Sequence, residues 1–403
     1  MKNSKALGIY LYIVLFVFES GMRIPMFKFL SGDVKIVFAI ILLLIGAFLV
    51  DNFKKKVPYV IGYFVFKWLI IALGLSVLMA YFFWHQDLTT SILLYRHHVW
   101  ILFLPLLFYL QPSEHVINNV FLAFALTVAF VWCGNVLGFI TPEYHVTYSG
   151  EIIEEPDVFG GYGIPGERMI TFIFYFFLSY LVSEFTLRNI CKTLLAFILV
   201  LFTTQRALIF GVVPIMIYVI LFKLQMKTSL RIVINFSFVI FLSVFFIQTI
   251  DIWTSFFEET SSQLSDEDYN RWKALDFFLH HYGTGWGTLI FGNGFLSLHN
   301  QGGQLLYNLG AEGIFIDDIG MIGVWVKYGI IPIILLYYII IKVFRYSVMP
   351  IYMKCICAHI GLLPVSWTLV GPHYTVFIFI IYLYCYHRYK INNDKKVRVS
   401  VTS

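Results

Sequence analysis

The sequence predicts an all-α, polytopic integral membrane protein with about twelve transmembrane helices. Three observations predict it. The 403 residues are 60% hydrophobic and only 13% charged, whereas soluble domains carry about 25% charged residues. The apolar residues fall in runs of roughly 20, the length a helix needs to cross a bilayer. The basic residues sit in short clusters between those runs, where they read as topology signals. A net charge of +5 dispersed in this way does not point to a nucleic-acid partner, and none is expected. Five cysteines lie in or beside apolar runs with no CxxC pair, so neither disulfides nor a metal site is expected.

Taken in order, the first run covers about 6–24 and the second about 33–50. The first has no small-residue cleavage site, so it reads as a retained span. Lys54, Lys55 and Lys56 then mark the cytoplasmic side. Spans three, four and five cover about 58–84, 92–110 and 116–140. A polar loop, about 141–168, leads to span six at about 169–187. Spans seven (about 190–204) and eight (about 206–222) meet at the corner Thr203-Thr204-Gln205-Arg206. Lys223, Lys227 and Arg231 return to the basic side before span nine, about 232–250. The long polar loop about 251–318 follows, then span ten at about 319–341. Span eleven covers about 355–370 and span twelve about 373–388, and residues 391–403 form a basic, disordered tail. With both termini cytoplasmic, every basic cluster lies on one side. The two long loops and the Arg206 corner lie together on the other.

Long loops between packed elements are usually functional. Arg168, Arg206 and Arg271 stand on the outer side, against the positive-inside bias. A guanidinium presents a planar fork of donors suited to phosphate; the alternative is a side chain snorkelling to the headgroups. Ser265 and Asp268 fit the start of a capped helix, with Trp272, Leu275 and Leu279 along one face. The stretch from His280 to Phe295 carries five glycines, as a tight turn or as a backbone close to a ligand. His280, His281 and His299 are candidate proton acceptors or plain surface residues. Asp317 and Asp318 precede span ten directly, as a general base or as helix caps. Trp253, Trp272, Trp286 and Tyr307 suit sugar stacking or an interfacial belt equally.

The combination of PGER before span six, the QR corner, and RW…FGNGF…DDIGMIGVWVKYGI resembles the O-antigen polymerase and O-antigen ligase superfamily over about 141–341. The resemblance implies a metal-independent glycosyltransferase of GT-C-like architecture in the bacterial inner membrane. It needs no cofactor, and its active site is periplasmic. Donor and acceptor would be glycans on undecaprenyl pyrophosphate, with a chain-length regulator as a further partner. Arg206, and with it Arg168 and Arg271, would hold the pyrophosphate, and Asp318, Asp317 or His299 would activate the acceptor hydroxyl. Ligases place a His-Asn-type motif directly before the span after the long loop. Here that slot reads Asp317-Asp318, and His299-Asn300 lies upstream, which favours a polymerase. Two rival classes predict other features. A flippase would carry charges inside its spans and matched broken helices in two halves; Lys67 is mid-span, Glu19 and Glu184 are near ends, and no repeat relates the halves. A membrane acyltransferase would need an intramembrane histidine, and His359 alone answers to that.

Overall fold

A computed structural model describes residues 4–19, 27, 30, 32–50, 60–140, 145–146, 152–153, 166–203, 206–223, 232, 236, 240, 247, 254, 270–283, 285–363 and 374–402. Among these the protein is helical, apart from one two-residue antiparallel pair that sets His145 against Ile153 and Val146 against Ile152. Among the described residues, three helical stretches are long and apolar enough to cross a membrane: Val60–Trp84, Leu88–Leu110 and Glu114–Val136. Ser4–Phe18, Leu208–Lys223 and Ile351–Leu362 are shorter apolar helices.

The first half of the chain gives α1 (Ser4–Phe18), α2 (Gly32–Leu49) and α3 (Val60–Trp84). Leu88–Leu110 is not one regular helix. It runs as α4 (Leu88–Leu94), a 3₁₀ stretch (Tyr95–Leu102) and α5 (Phe103–Leu110). Asp87 caps α4 by accepting from the Thr90 amide at 2.8 Å. Next come α6 (Glu114–Val136), α7 (Glu167–Ser183), α8 (Leu187–Leu201) and α9 (Arg206–Lys223). Ser113 and Thr186 supply the hydroxyls that cap α6 and α8, satisfying amides that a helix start leaves free.

The long polar segment is not an open loop where it is described. It folds as three short helices, α10 (Asn270–His280), α11 (Trp286–Phe291) and α12 (Gln301–Ala311). The proposed capped start at Ser265–Asp268 lies outside the described residues. On α10 the buried side chains are Ala274 and Phe278, and Trp272 is exposed. The buried stripe is therefore offset by one position from the Trp272–Leu275–Leu279 face that the sequence suggests.

Span ten, expected as one helix over about 319–341, is broken. A 3₁₀ turn (Ile316–Ile319) leads into α13 (Met321–Tyr328), and α14 (Ile331–Arg345) restarts after Gly329. Gly329 has φ 78°, a left-handed conformation that glycine adopts without strain, and the next turn carries Pro332 near the start of α14. After α15 (Ile351–Leu362), the last helix α16 runs from Tyr374 to Thr402. The basic tail is thus helical backbone rather than disordered. It contains no glycine or proline after Tyr374, and extending an existing helix is far easier than starting one.

Helix α7 is the axis of the bundle. Thirteen of its seventeen residues are buried, with Phe172, Phe174, Tyr175 and Phe176 at 0% exposure. A helix that is apolar all round belongs in an interior. At the periphery, by contrast, large apolar side chains stand outward, Phe48 at 89% exposure among them. Such extensive outward apolar surface marks a membrane-embedded or partner-covered exterior.

Two layers of polar contacts between helices lie at opposite ends of the bundle, with others inside it, such as Tyr175 to His359 at 2.8 Å. In one, His387 of α16 lies 3.6 Å from the Glu114 carboxylate at the start of α6. It is also hydrogen-bonded at 2.8 Å to Tyr352 at the start of α15. Lys192 near the start of α8 donates to Asn118 at 3.1 Å. In the other layer, Arg96 pairs with Asp33 at 2.6 Å, joining the 3₁₀ stretch to the start of α2. The Glu19 carboxyl, just past the end of α1, lies beside Gly166 at the entry to α7. Helices α1 and α2, and α6, α7 and α8, therefore run in alternating directions.

Candidate functional site

The second layer carries the described part of the long polar segment. The segment is fastened there by the end of α3 and the end of α13. Gly292 and Gly294 take φ values of 81° and 77°, so the FGNGF turn is a tight turn that excludes side chains. A Cβ on Gly294 would meet the Ser76 carbonyl oxygen at 2.5 Å and the Ala80 Cβ at 2.9 Å. Between the two glycines, Asn293 is 2% exposed. Its Oδ1 accepts from Trp84 Nε1 at 3.0 Å and its Nδ2 donates to the Val326 carbonyl at 3.1 Å. Gln86 extends the seam. It donates to the Phe295 carbonyl at 2.9 Å and accepts from the Ser297 amide at 2.7 Å. Asn300 closes it by donating to the Trp84 carbonyl and capping α12 through the Gly302 amide.

Beneath this seam, Phe295 sits among Tyr95, His98 and Tyr328, with ring centroids 5.2–5.5 Å away. His98 is buried and hydrogen-bonded to the Tyr328 hydroxyl at 3.0 Å. This fixes the polar segment to the bundle through side chains the sequence did not single out.

The expected site residues lie as follows. Asp317 is exposed and accepts from Lys327 at 2.5 Å, so it makes an ion pair rather than a helix cap. Lys327 in turn rests over the Phe295 ring at 5.4 Å. Asp318 lies in the same 3₁₀ turn, but its side chain is outside the described residues. His299 is exposed in the turn before α12. His280 is bonded to Asp276 at 2.8 Å on the surface of α10, with His281 3.8 Å from the same carboxylate. Arg271 is exposed near the start of α10. Arg206 begins α9, and its side chain is outside the described residues. Trp272, Trp286 and Tyr307 are all exposed on the polar segment, Trp286 at 83%. Trp253 lies outside the described residues.

Arg168 is the best-defined of the three arginines. It is half-buried in the first turn of α7. Burial pushes its guanidinium down to about 10, opposed by the negative charges of Glu167 and Glu19. It remains a cation at neutral pH. Glu19 also acts electrostatically on the half-buried Lys35 of α2, whose ammonium lies 6.0 Å from the Trp100 ring centroid. A mixed cluster of Glu19, Lys35, Glu167 and Arg168 therefore occupies the same end of the bundle as the polar segment. Sequence reading placed Glu19 near a span end but did not join it to Arg168. Lys35 carried a visible signal, a cation three residues inside an apolar run, where charge is rare and tends to be functional.

The described residues thus bring two polar centres to one end of the bundle: the Glu19–Lys35–Glu167–Arg168 cluster and the Asp317–Lys327 pair beside the FGNGF seam. Guanidinium and ammonium groups at partly buried positions suit an anionic group held at the rim of an apolar body. The exposed aromatic rings beside them suit flat, hydroxylated ligands. No family model matches the chain, and no curated protein or solved structure matches it either.

Proposed function

We propose that the protein is a membrane glycosyltransferase that polymerises oligosaccharide repeat units carried on undecaprenyl pyrophosphate, at the periplasmic face of a bacterial inner membrane. In this reading the chain crosses the membrane about twelve times with both termini cytoplasmic, in a GT-C-like bundle spanning residues 1–390. The loops at about 141–168 and 251–318 face the periplasm, and residues 391–403 extend into the cytoplasm.

One observation carries the reading. The polar segment from Asn270 onward is seated by buried hydrogen bonds on the end of the bundle where Arg168 lies half-buried. A polar segment folded over one end of an apolar bundle suits a reaction at a membrane face. A flippase instead needs a polar path through the interior.

Mechanistically, breaking the anomeric bond develops negative charge on the departing pyrophosphate. Arg168, Arg206 and Arg271 are the groups proposed to hold it. Preorganised donors in a poorly hydrated site contribute about 3 kcal/mol each to such a step. A base drawn from Asp318, Asp317 and His299 removes the proton from the acceptor hydroxyl. The ion pair with Lys327 weakens the case for Asp317, because its carboxylate oxygen is already engaged by that ammonium.

The test is a glycan gel on a strain lacking the protein, complemented with wild type, Arg206→Ala or Asp318→Ala. Loss of the ladder with a single repeat left on the core supports polymerisation. Loss of all attached glycan, with long chains on the lipid carrier, identifies a ligase. Single repeats held on the cytoplasmic side identify a flippase. An unchanged ladder with Arg206→Ala at normal protein level removes Arg206 from the site.

A further inference from the structure

A groove of about 580 Å³ runs along the seam between α1 and α6, at the end of the bundle opposite the polar segment. The two helices run side by side in the same direction from that end. A Cβ on Gly8 would lie 3.8 Å from Val116 Cγ1, and further along Tyr12 is hydrogen-bonded to Thr127 at 2.7 Å. Among the described residues, only α1 and α6 line the groove. Ile9 stands outward beside it at 62% exposure. The groove therefore opens on the outer flank of the bundle, on the apolar surface that an embedded chain turns to lipid.

Its two ends differ. Ser4, Lys5, His115 and Asn119 form the mouth, all exposed in the first turns of the two helices. Gly8, Val116, Val120 and Ala123 continue it as an apolar wall that ends at Tyr12. The hollow exists because a glycine faces α6 at this level, with only an ordinary van der Waals contact waiting for a Cβ. From Ser4 to Tyr12 the helix rises about 12 Å. That depth lies within one leaflet of a hydrocarbon core about 30 Å thick.

The charge of the mouth selects the ligand. Lys5 offers an ammonium with three donors, and no described carboxylate lines the groove. Glu114, beside His115 in the chain, is engaged elsewhere: it lies 3.6 Å from His387 and accepts from Tyr180. Asn119 Nδ2 lies 3.4 Å from His115 Nε2, which sets an amide and an imidazole together at the rim. This set suits a phosphate, and the apolar wall beyond it suits an acyl chain. A free anion would leave the wall uncovered. A zwitterionic headgroup would bring its own cation to compete with Lys5. In the proposed topology this end is cytoplasmic, the side where basic pockets between spans meet anionic headgroups.

We propose that the α1–α6 groove binds one anionic phospholipid of the cytoplasmic leaflet. Its phosphate sits at Lys5, His115 and Asn119, and the upper part of one acyl chain lies over Gly8 and Ala123. The inference uses the proposed topology and is independent of the proposed reaction.

The test is native mass spectrometry of the full chain released from detergent micelles. The probes are dioleoyl phosphatidylglycerol, dioleoyl phosphatidylcholine and inorganic phosphate. The expected result is one phosphatidylglycerol retained at concentrations where phosphatidylcholine is not, with no displacement by millimolar phosphate. Lys5→Ala should weaken retention roughly fivefold, and Lys5→Arg should keep it. Gly8→Leu, which fills the apolar part, should abolish it. Arg345→Ala removes an exposed cation from the last turn of α14, away from the groove, and should leave retention unchanged. Equal retention of the two lipids, displacement by phosphate, retention unchanged in Lys5→Ala, or an equal loss in Arg345→Ala overturns the proposal. Lys5 is exposed, so its variants decide the matter even where Gly8→Leu fails to fold.

Discussion

Asn293→Ala tests whether the polar segment is clamped to the bundle by side chains or merely rests on it. Asn293 is 2% exposed and makes two side-chain hydrogen bonds, to Trp84 Nε1 at 3.0 Å and to the Val326 carbonyl at 3.1 Å. A neutral buried hydrogen bond contributes about 1 kcal/mol net. The Val326 carbonyl keeps the Asn293 backbone amide at 2.8 Å. The Trp84 indole N–H is left with no acceptor, a further penalty of about 1 kcal/mol. The sum is about 3 kcal/mol, which lowers the melting temperature by something on the order of 5 °C. The assay is thermal unfolding of the full chain in detergent, read by the loss of monodisperse protein on size exclusion. Asn293→Asp keeps an acceptor for Trp84 but buries a carboxylate and turns an oxygen toward the Val326 carbonyl, so it should cost at least as much as Asn293→Ala. Combining Asn293→Ala with Trp84→Phe should reveal a coupling of about 1 kcal/mol. If Asn293→Ala melts with wild type, or the two changes add without coupling, the clamp is not what holds the segment down.

Three further outcomes follow from the same contacts. Gly211→Ala places a Cβ 2.5 Å from His359 Nε2 in the packed centre; it should destabilise the chain by about 2 kcal/mol in the same melt. Arg168→Ala should abolish the glycan ladder at normal protein level, while Arg168→Lys, which keeps the charge without the fork, should leave a shortened one. Asp317→Asn should leave the ladder in place and change the melt by less than about 1 kcal/mol, since the carboxylate is exposed and its pair is worth little.

The helical class and the position of most helices were legible in the sequence, because long apolar runs and basic punctuation are signals of composition. The ends were less so. The break at Gly329 was invisible as hydropathy, since both α13 and α14 are apolar; only the backbone conformation separates them. The tail was misread because low hydropathy says nothing about helix propagation. In the candidate site, the arginines and acids stood out as charges in an apolar chain. Lys327 and His98 did not, because their roles depend on partners 10 to 230 positions away. The seam through Gln86, Asn293 and Asn300 was equally hidden. Amides in a polar loop look alike until the backbone they satisfy is known.

The complete enclosure of α7 has a consequence for the order of assembly. Tyr175 on α7 finds its partner, His359 on α15, 184 positions later in the chain, at 2.8 Å. Until α15 and α16 are made, one flank of α7 has only lipid or chaperone for company, and its tyrosine hydroxyl has only the longer 3.4 Å bond to the Gly211 carbonyl. The middle of the chain is therefore finished last. A ribosome that stops before Ile351 releases a bundle with its central post uncovered, a natural mark for quality control to read.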